Sequence, residues 1–320
     1  MRLIEPPRFI SKDVYQSRIA ETVKRVSLLP EFVSAYQIGS IGDPGISDVD
    51  IVVVLKADAS TQSNPRSNLD EDSKYIFCHP LFGISEDRFV RSRQLSLFKN
   101  YVHLAGKDFG EPTRPLSTTD NDKLETQIAL EYLIRMMINM TVERRFRIIK
   151  VRNLLLNAKA IAYDLEFLGT ESGELFDHVQ WIKEIRKNWF SSPASKQQII
   201  QWFERAYQLL GDYLREQLEN HTLFLGDQDR YQVAPNITIH REHQFQIEMS
   251  GFRLPSLFSR WGRKYIGLQH RLNRFVVKLP YDSKSAPAVI QEYLNDQREL
   301  RTFCASNLPY FLPLATSLNV

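Results

Sequence analysis

Hydrophobic and polar positions along this chain change texture twice. Over residues 12–28, Val14, Ile19, Val23 and Val26–Leu29 recur at roughly helical spacing behind Ser11, a residue suited to an N-cap, and Leu29-Pro30 ends the run. Phe32–Ile38 and Ile51–Leu55 are rich in β-branched and aromatic residues and predict two strands, separated by the glycine-bearing loop Gly39–Ser47. The polar stretch 57–73, with Pro65 inside it, predicts a long loop. Further strands are expected at Lys74–Pro80 and Tyr101–Ala105, so the first 115 residues read as mixed α/β with a small sheet.

From about Thr119 the period becomes helical. Residues 120–168 contain no Pro and no Gly, with a break expected near Met140–Val142. Phe146, Ile148, Ile149, Val151, Leu154–Leu156, Ile161, Leu165 and Leu168 cover more than one face, the pattern of a helix buried in a bundle. Helices are expected next at 174–190 and 193–219, the second with Ser192-Pro193 in the N-cap and N1 positions. After Gly226, Ile237/Ile239 and Phe245/Ile247/Met249 alternate with polar residues and predict a hairpin around Arg241-Glu242. Phe275/Val277/Leu279 predict another strand, and 286–304 a last helix. The expected fold class is thus α/β (α+β) over 1–115, a helical bundle over 116–225, and an α+β segment over 226–320.

Composition narrows the setting. Two cysteines, Cys78 and Cys304, build neither a disulfide framework nor a paired zinc set. The N-terminus, with Glu5, Pro6 and Pro7, has no signal-peptide core, and no apolar run is long enough to span a bilayer, so a cytoplasmic protein without a membrane partner is expected. Net charge is only +3, from 41 Lys+Arg against 38 Asp+Glu. Its distribution is uneven: residues 241–278 hold eight Lys/Arg and two Glu, a net +6 that leaves the rest of the chain slightly acidic. Arginine dominates that strip and is interleaved with Phe252, Phe258, Trp261, Tyr265 and Phe275, a composition suited to RNA or to a phosphorylated acceptor, although an ordinary basic surface would look the same.

Glycine is scarce, 13 in 320 residues, yet three fall within Gly39–Gly45. The spacing Gly-x-x-Gly-x-x-Gly matches neither a dinucleotide fingerprint nor a Walker A loop, and Ile38 stands where a nucleophile elbow needs glycine. Just beyond the glycines, Asp48-Val49-Asp50 stands at the mouth of Ile51–Leu55. Residues i and i+2 of a strand share a face, so two carboxylates stand side by side and call for a cation between them. Mg²⁺, held by one or two carboxylates plus phosphates and waters, fits that demand, while Gly39 lets backbone approach a phosphate and Ser40 offers a hydroxyl.

The arrangement of apolar-Gly39-Ser40, spacer, Asp48-x-Asp50 and apolar strand resembles the polymerase-β-like nucleotidyltransferase superfamily. The resemblance implies that a nucleoside monophosphate is moved from an NTP, ATP first among them, to a hydroxyl on a small molecule, protein or RNA. It also implies that Gly39 and Ser40 contact the triphosphate and that Asp48 and Asp50 bind Mg²⁺ and carry catalysis. The spacer with Asp43-Pro44-Gly45 must be a tight turn. A third carboxylate belongs on a neighbouring strand, but Lys74–Pro80 offers Phe77, Cys78 and His79 instead; His79 could ligate or act as a base, and Glu86 or Asp87 could substitute if the strand continues through Gly83-Ile84. The missing acid leaves a catalytically inactive nucleotide-binding or regulatory module as the alternative. Cys78 reads as a core thiol, His240-Arg241-Glu242-His243 lacks metal-protease spacing, and Arg144, Arg145, Arg147, Lys150 and Arg152 form a basic stripe open to either a solvated or a phosphate-binding reading.

Overall fold

The computed structural model describes residues 1–96, 98, 100–111, 115–225, 229–282, 285–315 and 318. Gly226, at the second change of texture, lies outside them. In chain order the elements are β1 (Arg2–Ile4), α1 (Lys12–Val26), β2 (Phe32–Ile38), β3 (Asp50–Leu55), α2 (Glu71–Ile76), β4 (Phe82–Ser85), α3 (Glu86–Gln94), β5 (Tyr101–Gly106) and α4 (Thr118–Phe146). Then come β6 (Ile148–Lys150), α5 (Val151–Phe167), α6 (Glu174–Lys187), α7 (Lys196–Asn220), β7 (Arg230–Ala234), β8 (Ile237–Arg241) and β9 (Gln246–Gly251). A 3₁₀ turn at Ser256–Trp261, α8 (Arg263–Leu272), β10 (Asn273–Leu279), α9 (Ala288–Asn307) and β11 (Leu312–Pro313) complete the chain, which is mixed α/β. No helix among the described residues is long and apolar enough to cross a membrane.

The chain divides into two compact units, one of residues 8–121 with 291–316, the other of residues 1–7 with 122–290 and 317–320. The first holds a five-stranded mixed sheet in the order β11-β4-β3-β2-β5, with β2 antiparallel to both β3 and β5, and β4 parallel to both β3 and β11. β3 is its central strand and reads as an unbroken apolar run because both faces are covered. Ile51, Val53 and Leu55 pack with Tyr15, Ile19 and Val26 of α1 and with Ile76, Phe77, Phe303 and Leu308. Val52 and Val54 pack on the other side with Tyr36, Ile84, Phe89 and Leu300. Gly83 of β4 is required by close approach: a Cβ there would meet Leu308 at 2.8 Å and Phe311 at 2.9 Å.

The expected strand at Lys74–Pro80 is instead α2 and an irregular segment. Asp70 caps the helix by accepting the Ser73 amide at 2.7 Å, Glu71 and Asp72 complement its N-terminus, and Ile76 is buried on its inner side. The strand beside β3 is β4, and Glu86 and Asp87 open helix α3 rather than prolong it.

In the second unit α4 continues through Met140–Val142, where the sequence predicts a break, because Met140 and Val142, on opposite sides of the helix, are both buried, Val142 with Phe146 in one cluster. It ends at Arg147, whose φ of 57° turns the chain into β6, paired parallel with β1. α7 starts at Ser195, not Ser192-Pro193; Ser195 and Gln198 form a reciprocal capping box, with bonds of 3.3 and 2.9 Å. The four-stranded sheet runs β7-β8-β10-β9, so the expected β8–β9 hairpin is absent: β10 lies between them, parallel to β8 and antiparallel to β9, burying Phe275, Val277 and Leu279. The antiparallel neighbours in sequence are β7 and β8.

Candidate functional site

The connection from β2 to β3 is a hydrogen-bonded turn. The amides of Ile46 and Ser47 donate to the Asp43 carbonyl at 3.0 and 2.8 Å, and the Ser47 hydroxyl accepts the Asp43 amide at 3.2 Å. Two tyrosines hold it from below. Buried Tyr15 donates its hydroxyl to the Ser47 carbonyl (2.6 Å) and accepts the Gly45 amide (3.0 Å), while Tyr75 donates to the Gly45 carbonyl (2.6 Å). Further along, the Val49 amide donates to the Ile76 carbonyl at 3.1 Å, which ties the two aspartates to the end of α2.

Asp48 and Asp50 flank Val49, which is buried, and precede Ile51, which is fully buried; both aspartates are half-exposed, as alternation along an extended segment requires. Ile38 is the register partner of Asp50, so Gly39 and Ser40 begin where the carboxylates stand. Gly39 has a φ of 73°, a left-handed conformation, and a Cβ placed on it would meet nothing within 4 Å. Its carbonyl accepts from the Asn100 side chain at 3.2 Å. Gly39 and Ser40 are exposed.

The segment after α2 brings two more groups to the aspartates. The Cys78 thiol donates to Asp48 Oδ2 at 3.1 Å, and His79 Nε2 lies 2.6 Å from Asp50 Oδ1. His79 Nδ1 lies 2.7 Å from the Pro80 carbonyl, so both ring nitrogens face acceptors. A neutral imidazole carries one N–H and satisfies only one of them; a protonated ring satisfies both. Burial opposes the charge on His79, but the hydrogen bond and attraction of Asp50, with the Pro80 carbonyl, outweigh it and push the ring up to about 9. Burial raises the Asp50 carboxyl, and the neighbouring Asp48 charge adds to that, against the pull of His79.

No carboxylate flanks this cluster on the sheet: β2, β4 and β5 carry neither Asp nor Glu, and Glu86 and Asp87 sit in the first turn of α3. Among the described residues the one group of His, Cys, Asp or Glu whose ligand atoms converge is Asp48, Cys78 and His79, all within 4.8 Å of one another. His240 and His243 belong to no such group among those residues. No protein-family model, curated protein or solved structure matches the chain.

Elsewhere the basic stripe is largely engaged. Arg144 pairs with Glu204 at 2.7 Å and lies over Tyr207, Lys150 is 3.4 Å from Glu143, and Arg152 is buried. In 241–278, Arg241 pairs with Asp229 (3.1 Å), Lys278 with Glu248 (2.6 Å) and Arg263 with Glu5 (3.3 Å). Arg253, Arg260, Lys264, Arg271 and Arg274 are exposed, and so are Phe252, Leu257 and Trp261. The contact of Cys78 with Asp48 is one that sequence reasoning misses; its only signal is a cysteine adjacent to the histidine singled out for metal chemistry.

Proposed function

We propose that the chain is a nucleotidyltransferase of the polymerase-β-like type, moving a nucleoside monophosphate from an NTP to a hydroxyl acceptor in the cytoplasm. The observation that carries this reading is the placing of Asp48 and Asp50 beside the left-handed Gly39 at the paired ends of β2 and β3. Two oxygen donors suit one Mg²⁺ that arrives with the triphosphate, and Asp48 and Asp50 would hold it. Such an ion would neutralise phosphate charge at the point of transfer. The donors do not suit a second Mg²⁺, since no third carboxylate stands on the sheet and His79 already engages Asp50. Gly39 and Ser40 would receive the triphosphate, and the open space at the Gly39 Cα favours close approach. The exposed arginines and aromatics of 252–274 support RNA or another phosphate-bearing acceptor.

The test is a thermal-shift titration with Mg²⁺ and each NTP, followed by measurement of pyrophosphate release. Stabilisation by an NTP with release abolished in Asp48→Ala/Asp50→Ala supports the reading; release unchanged in that variant refutes the mechanism. The missing third carboxylate favours a second reading, nucleotide binding without transfer, for which an NTP would stabilise the protein and no pyrophosphate would appear.

A further inference from the structure

Beside the Asp48–Asp50 oxygen pair, the site carries a second donor set that is not the one Mg²⁺ selects. Asp48, Cys78 and His79 offer one carboxylate oxygen, one sulfur and one imidazole nitrogen, brought together from the mouth of β3 and the irregular segment after α2. Mg²⁺ takes oxygen ligands in near-octahedral geometry and has little affinity for thiolate, whereas Zn²⁺ and Co²⁺ accept all three donor types. We propose that Asp48, Cys78 and His79 form a binding site for a thiophilic divalent ion of the Zn²⁺ type, with the fourth position open. The inference stands on the donor geometry and does not rest on the nucleotide reading.

Three arguments support it. The first is spacing: ligand atoms about 2.0–2.3 Å from one tetrahedral ion lie about 3.3–3.5 Å from each other. Cys78 Sγ and Asp48 Oδ2 are 3.1 Å apart and the whole set lies within 4.8 Å, so small side-chain rotations close the site. Second, charge balances, because an ionised Asp48 and a Cys78 thiolate neutralise a divalent ion, the Cys78 thiol proton and the second ring proton of His79 both passing to solvent on binding. Third, the His79 ring is held at both nitrogens, Nε2 at 2.6 Å from Asp50 and Nδ1 at 2.7 Å from the Pro80 carbonyl, so one contact gives way to the ion while the other acts as the outer partner that keeps the ring oriented. All three ligands are half-buried, shielded enough to hold an ion and open enough to admit one. Three protein ligands with one open position are also the pattern of zinc sites that act on a substrate rather than only brace a fold.

The experiment is titration of the full-length protein with Co²⁺, read by absorption. The expected result is one equivalent bound, with visible d–d bands of tetrahedral intensity, a near-ultraviolet thiolate-to-cobalt charge-transfer band, and loss of both on adding Zn²⁺. Cys78→Ser should abolish the charge-transfer band, His79→Gln should weaken binding by at least ~10-fold, and Cys304→Ser, which alters a thiol buried elsewhere, should change neither. Circular dichroism shows whether each variant is folded, and equilibrium dialysis of the wild type gives stoichiometry without any variant. Wild-type protein that binds no Co²⁺ or Zn²⁺ stoichiometrically, or a charge-transfer band that persists in folded Cys78→Ser, overturns the proposal. Co²⁺ bands without stabilisation by any NTP would keep this site and remove the nucleotide reading, and Mg²⁺-dependent NTP stabilisation without Co²⁺ bands would do the reverse.

Discussion

Gly39→Ala separates backbone strain from ligand contact, because the structure supplies only one of the two. A Cβ at position 39 would meet nothing within 4 Å, so the added methyl has no clash to relieve. What remains is a φ of 73°, and holding alanine in the left-handed region costs about 1–2 kcal/mol. The residue belongs to a unit of about 140 residues, for which a loss of that size lowers Tm by roughly 3–7 °C. Nucleotide binding should fall much further than stability if phosphate oxygens approach the Gly39 backbone, since the methyl then fills their place; at least ~10-fold, or about 1.4 kcal/mol, is expected. Gly39→Asn is the control for strain: asparagine tolerates the left-handed region, so it should recover part of the Tm while binding stays impaired. Gly42→Ala, exposed and equally open but without a positive φ, should change stability by less than ~0.5 kcal/mol. The assays are thermal unfolding of the three variants and the Mg²⁺·ATP-induced shift in each. A Tm loss in Gly39→Ala beyond ~15 °C would refute the claim that strain alone is at stake, and an undiminished ATP shift would refute placing the triphosphate there.

Tyr15→Phe removes the hydroxyl that bonds the buried Gly45 amide and Ser47 carbonyl, so it should cost about 1–3 kcal/mol in urea unfolding and blunt the NTP-induced shift, Asp48 being next along the chain; stability equal to wild type would show that the two bonds do not hold the turn. Burial pushes the Glu143 carboxyl up to about 7 against the pull of Lys150, from an ordinary value of 4.5, so its contribution to stability is complete below pH 4.5 and is lost as the pH rises through 7. Glu143→Gln should therefore flatten that part of the stability profile and gain up to ~3 kcal/mol relative to wild type at pH 8, less what Lys150 loses; a pH slope unchanged from wild type would contradict the sign. If the exposed arginines contact RNA phosphates, Arg260→Ala/Arg271→Ala should weaken binding of a single-stranded oligonucleotide uniformly across sequences and reduce the slope of log K against log salt by ~1–2, and binding insensitive to salt would exclude the contact.

Much of the first unit was legible because its signals are local. Alternation alone places Asp48 and Asp50 on one side, and the scarcity of glycine draws attention to the turn before them. The segment Lys74–Pro80 misled because Tyr75, Ile76 and Phe77 favour strands by propensity. Docking of Ile76 and Phe77 beneath β3 and the cap at Asp70 override that preference in a helix of only six residues. The insertion of β10 between β8 and β9 joins strands that are not consecutive, and no local pattern encodes such pairing. Cys78 reaches Asp48 across 30 residues for the same reason: the turn of chain after α2, not the composition around the thiol, decides what it touches.

The edge strand β11, the α9 residues Leu300 and Phe303, and Leu308 just beyond that helix complete a sheet whose other four strands are finished by Gly106. During synthesis, then, the central strand β3 waits for part of its cover until about 200 further residues have been made. At ~5–20 residues per second that is roughly 10–40 s in which Val53, Leu81 and the Gly83 backbone are without Leu308 and Phe311. A fragment ending after β5 would therefore expose apolar surface instead of folding into a smaller version of the unit.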